Sequence, residues 1–217
     1  MKFTSILKSI LKWSLVTIGF FILEPIVLIA IIPLFPIYIF RLFVILLSKI
    51  FRPELSRMIS GFSACAASDG IYTKPNYTVL TFFFESRRVD VDKHRELMMK
   101  HLVTRKRPNG ELHYPEMSQY VSYWLGFPFW RNDPDFDISN HVMIYEGSQD
   151  HINWGRKFDE NDMMKISNDL LTKPYPKNKS PWEMLIIPNA RSQGTKEGDS
   201  SEQTVIVFKF HHTLGKL

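Results

Sequence analysis

Thr204-Val205-Ile206-Val207-Phe208-Lys209-Phe210-His211-His212-Thr213-Leu214-Gly215-Lys216-Leu217 is the stretch that organises the reading of this chain. Its first seven residues are β-branched and aromatic save one lysine, as in a strand buried in a sheet. Two adjacent histidines and a short turn follow. Side chains alternate across a strand, so His211 and His212 point to opposite sides if the strand geometry continues. One imidazole can then pack or hydrogen-bond while the other works. An imidazole titrates near neutrality and suits a general base. Placed just past a buried strand, it is held rigidly and can open into a channel at the end of the sheet. A lone His-His pair is more often structural than catalytic. Metal binding is the weaker reading, because adjacent histidines on a strand diverge and no third ligand of suitable spacing stands out.

Working outward, residues 77–84 are aromatic and β-branched and predict a strand. Asp90 or Asp92 can cap a helix running to about Val103, with Leu97, Met98, His101 and Leu102 on one largely apolar face. Residues 120–130 are rich in aromatics, and Asn132-Asp133-Pro134 breaks them off. Residues 138–145 predict a further strand. Asp159 or Asn161 then caps a helix that turns Met163, Met164, Ile166, Leu170 and Leu171 to a core, and Lys173-Pro174 ends it. Residues 182–187 predict a short strand, and the polar stretch 190–203 a surface loop. Strands alternate with helices, so the fold class is α/β or α+β, a mixed sheet backed by helices. There is no internal repeat and no glycine-rich phosphate loop. Arg105-Lys106-Arg107-Pro108-Asn109-Gly110 is a basic turn, read first as a solvated loop and second as a contact for phosphate or anionic lipid.

The other end of the chain differs in kind. Between residues 13 and 47 the only charges are Glu24 and Arg41. About 20 apolar residues suffice to cross a bilayer, so residues 1–52 predict a membrane anchor. Soluble helices are seldom apolar on all faces for so long, and the run is too long for the core of a cleaved signal peptide. Pro25, Pro33 and Pro36 each remove a backbone donor. Lys2, Lys8 and Lys12 precede the run while Lys49 and Arg52 follow it, and positive residues stay on the cytosolic side. A hairpin bent near Pro33-Leu34-Phe35-Pro36 satisfies both ends, and a single kinked span is the alternative. Residues 53–67 predict an amphipathic connector helix, with Leu55, Met58, Ile59 and Phe62 on one face, lying on the membrane or against the soluble domain, residues 68–217. The net charge of +5 favours anionic membrane surfaces or acidic ligands. No basic array is interleaved with aromatics, which argues against nucleic acid. Cys65 is the single cysteine, so no intrachain disulfide can form, in keeping with a cytosolic domain.

Three segments together resemble a known family. His211-His212-Thr213-Leu214-Gly215-Lys216-Leu217 is similar to the His-His-x-x-x-Asp-Gly motif of CoA-dependent acyltransferases. Ser180-Pro181-Trp182-Glu183 resembles the Pro-Leu-Trp-Glu region of the wax ester synthase/diacylglycerol acyltransferase family. Trp130-Arg131-Asn132-Asp133-Pro134-Asp135-Phe136-Asp137-Ile138-Ser139-Asn140-His141-Val142 resembles that family's Trp…Asp-Pro-x-Phe-Asp-(Ile/Leu)-x-x-His-Val segment. The resemblance covers roughly residues 79–217.

It implies a chloramphenicol-acetyltransferase-like fold, with residues 68–217 as the N-terminal half-domain, cut off at the His-His motif. It implies an O-acyltransferase that moves a fatty acyl group from acyl-CoA to diacylglycerol or a long-chain alcohol, in triacylglycerol or wax ester synthesis. Residue by residue, His212 is the implied general base, His211 its structural neighbour, and Trp182 and Glu183 are motif-associated. No cofactor beyond acyl-CoA and no metal is implied. Apolar substrates place the enzyme at membrane lipid, with the endoplasmic reticulum as its location, the domain on the cytosolic face, or the plasma membrane. Lys216 departs from the motif, standing where the aspartate belongs. With that departure and no second half-domain, the chain alone is expected to self-associate and to transfer little. The rival reading is a non-catalytic, membrane-anchored lipid-binding or interaction module.

Overall fold

The strand quoted first, β7 (Gln203–His211), lies inside a four-stranded sheet. β2 (Thr78–Glu85) and β6 (Trp182–Ala190) flank it, both antiparallel to it. β5 (Val142–Ile144) joins the far edge of β6 in parallel, so the sheet is mixed. With partners on both sides and cover on both faces, β7 buries Thr204, Val205, Ile206, Val207, Lys209 and His211. That double cover explains its nearly unbroken apolar sequence.

Two helices serve this sheet. α4 (Val91–Met98) starts where the Asp90 side chain accepts the backbone N–H groups of Asp92 and Lys93, and continues as a π-helical turn, Met99–Val103. α5 (Glu160–Thr172) lays Ile166 and Leu170 against Leu185, Ile187, Val205 and Val207. The strand expected from residue 138 begins later, at Val142, because Asp137 caps a 3-10 turn over Ile138–Asn140.

A second, antiparallel sheet orders β1 (Leu55–Met58), β4 (Phe127–Asn132) and β3 (Gln119–Trp124). The aromatic stretch is therefore a hairpin. Its two turn residues, Leu125 and Gly126, sit at φ 48° and 81°, the left-handed pair that a two-residue hairpin turn demands. The connector helix expected over residues 53–67 is corrected: Leu55–Met58 is a strand, and among the described residues of this stretch only Phe62–Ala67 (α3) is helical. A register shift between Leu55 and Arg57 puts Leu55 and Met58 on the same buried side. A bulge of this kind imitates helical spacing in the sequence.

The structure, a computed structural model, describes residues 2–59, 61–85, 88–145, 160–190 and 203–215. The chain falls into two units, Met1–Pro53 and Glu54–Leu217. In the first, α1 (Lys2–Ile31) is followed by a 3-10 turn (Ile32–Leu34) and α2 (Phe35–Phe51). Ile31, Leu34 and Phe35 all keep right-handed helical backbone angles. The backbone stays helical through Pro33-Leu34-Phe35-Pro36, the stretch where the hairpin bend is expected. Pro33 and Pro36 each stand in the first turn of a helical segment, where a missing N–H costs least. Leu11–Phe51 is one stretch long and apolar enough to cross a membrane, by length and composition.

Candidate active site

Backbone bonds seat the histidine pair. His211 donates its N–H to the Pro181 carbonyl at 2.9 Å, and His212 donates to Tyr77 at 2.8 Å. The chain then tightens into a 3-10 turn, His212–Leu214, against α3. It leaves through Gly215 at φ 77°, a conformation that strains any residue with a side chain. Thr213 and Leu214 are buried by this turn, while His212 stays exposed.

The His211 ring is fully buried and fully partnered. Its Nδ1 accepts the Thr213 backbone N–H at 3.2 Å and lies 2.6 Å from the Thr213 hydroxyl. A nitrogen that accepts a backbone N–H carries no proton of its own. Nε2 therefore holds the hydrogen and donates it to Asp69 Oδ1 at 3.2 Å. Burial pushes this imidazole's pKa below its ordinary value, while the Asp69 charge pulls it partly back. The net direction keeps His211 neutral, as the bond pattern requires. The other Asp69 oxygen accepts the N–H groups of Asn76 at 2.6 Å and Tyr77 at 2.9 Å.

His212 is the opposite case. Its ring meets Phe62 edge to face, centroids 4.9 Å apart. Among the described residues, none hydrogen-bonds its ring nitrogens. A lone pair held at the end of a rigid strand, open to a ligand, can take a proton from one.

Next to the pair on β7, Lys209 is completely buried. Its ammonium reaches Glu183 Oε2 at 3.2 Å and the Lys173 carbonyl at 2.9 Å, and lies 4.3 Å from the centre of the Tyr175 ring. Tyr175 also meets His211 edge to face. Trp182 points into the main core, donates its indole N–H to Met117, and stacks on His141 at 4.6 Å. His141 lies between Trp182 and Phe136 and donates from Nδ1 to the Trp182 carbonyl at 2.8 Å. Burial lowers its pKa, and Nε2 has no partner among the described residues. Lys179 bonds Asp133 and the Asp135 carbonyl, each at 2.9 Å. These contacts join the tryptophan-glutamate segment to the Asp-Pro segment.

A cleft of about 430 Å³ opens beside the turn, walled by Thr213, Leu214 and Gly215 and by Ser63, the neighbour of Phe62. Arg57, Arg107, His113 and Glu116 complete its polar side. Arg57 is ion-paired with Glu116, and Arg107 bonds the His113 carbonyl at 3.3 Å. Among the described residues no carboxylate pairs with Arg107.

No protein-family model matches the chain. Sequence comparison finds probable diacylglycerol O-acyltransferases from two strains of Mycobacterium tuberculosis, each 25% identical over 120 residues. A Mycobacterium bovis protein matches to the same degree. The resemblance is to diacylglycerol O-acyltransferases. It covers 55% of this chain and 22% of each of these relatives, so the chain spans about a fifth of their length. Among solved structures, the wax ester synthase/diacylglycerol acyltransferase of Marinobacter aquaeolei aligns with 74% of this chain and 34% of its own, at 18% identity and a TM-score of 0.44.

Of the residues that carry the acyltransferase resemblance, His211 is buried and His212 exposed, and the residues that follow them, Thr213, Leu214 and Gly215, wall the cleft. The structure places Trp182 and Glu183 in the interior, where they support the sheet that bears the pair. Lys216 lies outside the described residues, as do Leu217, Asp159 and most of the 190–203 loop. Sequence reasoning missed Asp69 and Arg57. Nothing local marks Asp69, because His211 lies 142 residues away.

Proposed function

We propose that this chain carries the histidine-bearing part of an O-acyltransferase that moves a fatty acyl group from acyl-CoA to diacylglycerol or a long-chain alcohol. One observation carries the reading: at the end of a buried strand, His211 is locked and His212 is free. His212 takes the hydroxyl proton as the alcohol oxygen attacks the thioester carbonyl. The tetrahedral intermediate collapses, the C–S bond breaks, and the imidazolium returns its proton to the leaving thiolate. The products are an ester and free CoA. The Arg57–Arg107 side of the cleft supports this reading, since guanidinium groups suit phosphate oxygens and acyl-CoA carries several phosphates.

The exposed apolar helix supports an anchor in the membrane, where acceptor and product reside. In a eukaryotic cell this reading puts the chain in the endoplasmic reticulum with the second unit on the cytosolic face, and it uses acyl-CoA with no further cofactor. Lys216, in the place of the motif's aspartate, favours a second reading: a lipid-binding module without turnover.

The test is ester formation from labelled acyl-CoA and diacylglycerol by membranes bearing the chain. His212→Ala should lower the rate roughly 100- to 10,000-fold. Undiminished turnover by folded His212→Ala protein would reject His212 as the base. Binding of lipid with no His212-dependent ester would establish the second reading.

A further inference from the structure

We propose that Asp69 is the positioning residue of the histidine pair, its one carboxylate clamping the His211 ring and the Tyr77 backbone and thereby fixing the backbone from which His212 projects. The proposal rests on the acyl-transfer reading for what His212 does, and on geometry for what Asp69 holds.

The bonds close a circuit. Asp69 Oδ1 receives the proton-bearing Nε2 of His211 at 3.2 Å. One peptide unit leads from His211 to His212, whose N–H goes to the Tyr77 carbonyl at 2.8 Å. The Tyr77 N–H returns to Asp69 Oδ2 at 2.9 Å, beside that of Asn76 at 2.6 Å. His212 cannot shift its backbone without breaking one of these links. The Asp69 side chain is 7% exposed and that of His211 0%, so water competes poorly for them. Hydrogen bonds to an ionised carboxylate are about twice as strong as neutral ones. Among the described residues, Asp69 is the carboxylate that holds the pair, and Lys216 brings none. The circuit needs the Nε2–H form of His211, which the Thr213 N–H enforces from the far side of the ring.

Asp69→Asn tests the clamp at nearly constant shape. An amide has one oxygen and one NH2, while the site presents three donors. If the oxygen faces the backbone, the NH2 opposes the imidazole N–H. If it faces the imidazole, the NH2 opposes Asn76 and Tyr77. Either way the bond pattern breaks.

The full chain, with ¹⁵N-labelled histidine and reconstituted in nanodiscs, is read by NMR of the imidazole nitrogens. In the unaltered chain His211 should show a protonated Nε2 and a bare Nδ1, and Asp69→Asn should abolish that pattern. In ester synthesis Asp69→Asn should lower kcat about 10- to 100-fold with the KM for acyl-CoA unchanged. That loss should shrink or vanish in a His211→Phe background, since the two act as one unit. A proton on Nδ1 in the unaltered chain, an unchanged spectrum in Asp69→Asn, or strictly additive losses would each overturn the proposal. Should Asp69→Asn not fold, the spectrum of the unaltered chain and the kcat of His211→Phe decide. A chain with no ester synthesis breaks the acyl-transfer reading separately. The spectral change on Asp69→Asn then still supports the clamp, and its absence still overturns it.

Discussion

The two units of this chain solve opposite problems. The first, Met1–Pro53, displays what proteins usually hide: Phe21 is 70% exposed and Ile29 69%. The second, Glu54–Leu217, hides what proteins usually display, with Lys209 and His211 both at 0%. The lesson is about surroundings. Bare apolar faces suit an apolar medium, and buried polar groups persist where each one is paired.

Substitution of aromatics breaks or sharpens that contrast most strongly. Trp182→Ala empties a fully buried site and should cost roughly 3–5 kcal/mol of stability in the second unit. Phe21→Ala, on an exposed face, should leave the unfolding free energy of that unit within about 0.5 kcal/mol. Urea titration of both variants in detergent, followed by tryptophan fluorescence, reads the difference. Equal losses would erase the distinction between the units.

Acidification gives a smaller effect. Burial lowers the pKa of both His141 and His211. The folded unit then binds fewer protons than the unfolded chain in the window below the ordinary imidazole value of about 6.5. Their contribution to stability is complete above that value and is lost as pH falls toward their lowered folded values. Urea midpoints should therefore drop on mild acidification and recover on neutralisation, whereas a flat profile would mean that both imidazoles titrate normally.

Smallest is the turn. Leu125 holds φ 48° without being glycine. Leu125→Asn restores a residue that tolerates this region and should raise stability by about 0.5–1 kcal/mol in the same titration. A loss would show that the exposed leucine contributes contacts worth more than its strain.

Much of this was legible in the sequence. The strands at 182–190 and 203–211 announce themselves because double-sided burial leaves a continuous apolar run, and the edge strand at 78–85 by its β-branched and aromatic residues. α4 and α5 were legible by period, and α4 also by its Asp90 cap. The histidine pair stood out because two imidazoles follow such a strand. Three features were hidden for physical reasons. The bulge in β1 gave Leu55 and Met58 the spacing of a helix. The hairpin of β3 and β4 turns on Leu-Gly, where Asn-Gly is the usual signal. Asp69 gains its meaning from Asn76, Tyr77 and His211, which only the folded sheet brings to it.

The buried pair of Lys209 and Glu183 has a consequence for assembly of the sheet. The two residues sit directly opposite each other on β7 and β6. Sliding β7 by one residue would turn Lys209 to the other face. Sliding it by two would keep the face but set the ammonium across from Leu185 or Pro181, stranding both charges in the interior. Apolar neighbours such as Ile206 and Val207 tolerate several alignments, being nearly interchangeable in shape. The ion pair accepts one. It acts as an alignment key, and the alignment it selects is the one that brings the histidine pair to the turn beside the cleft.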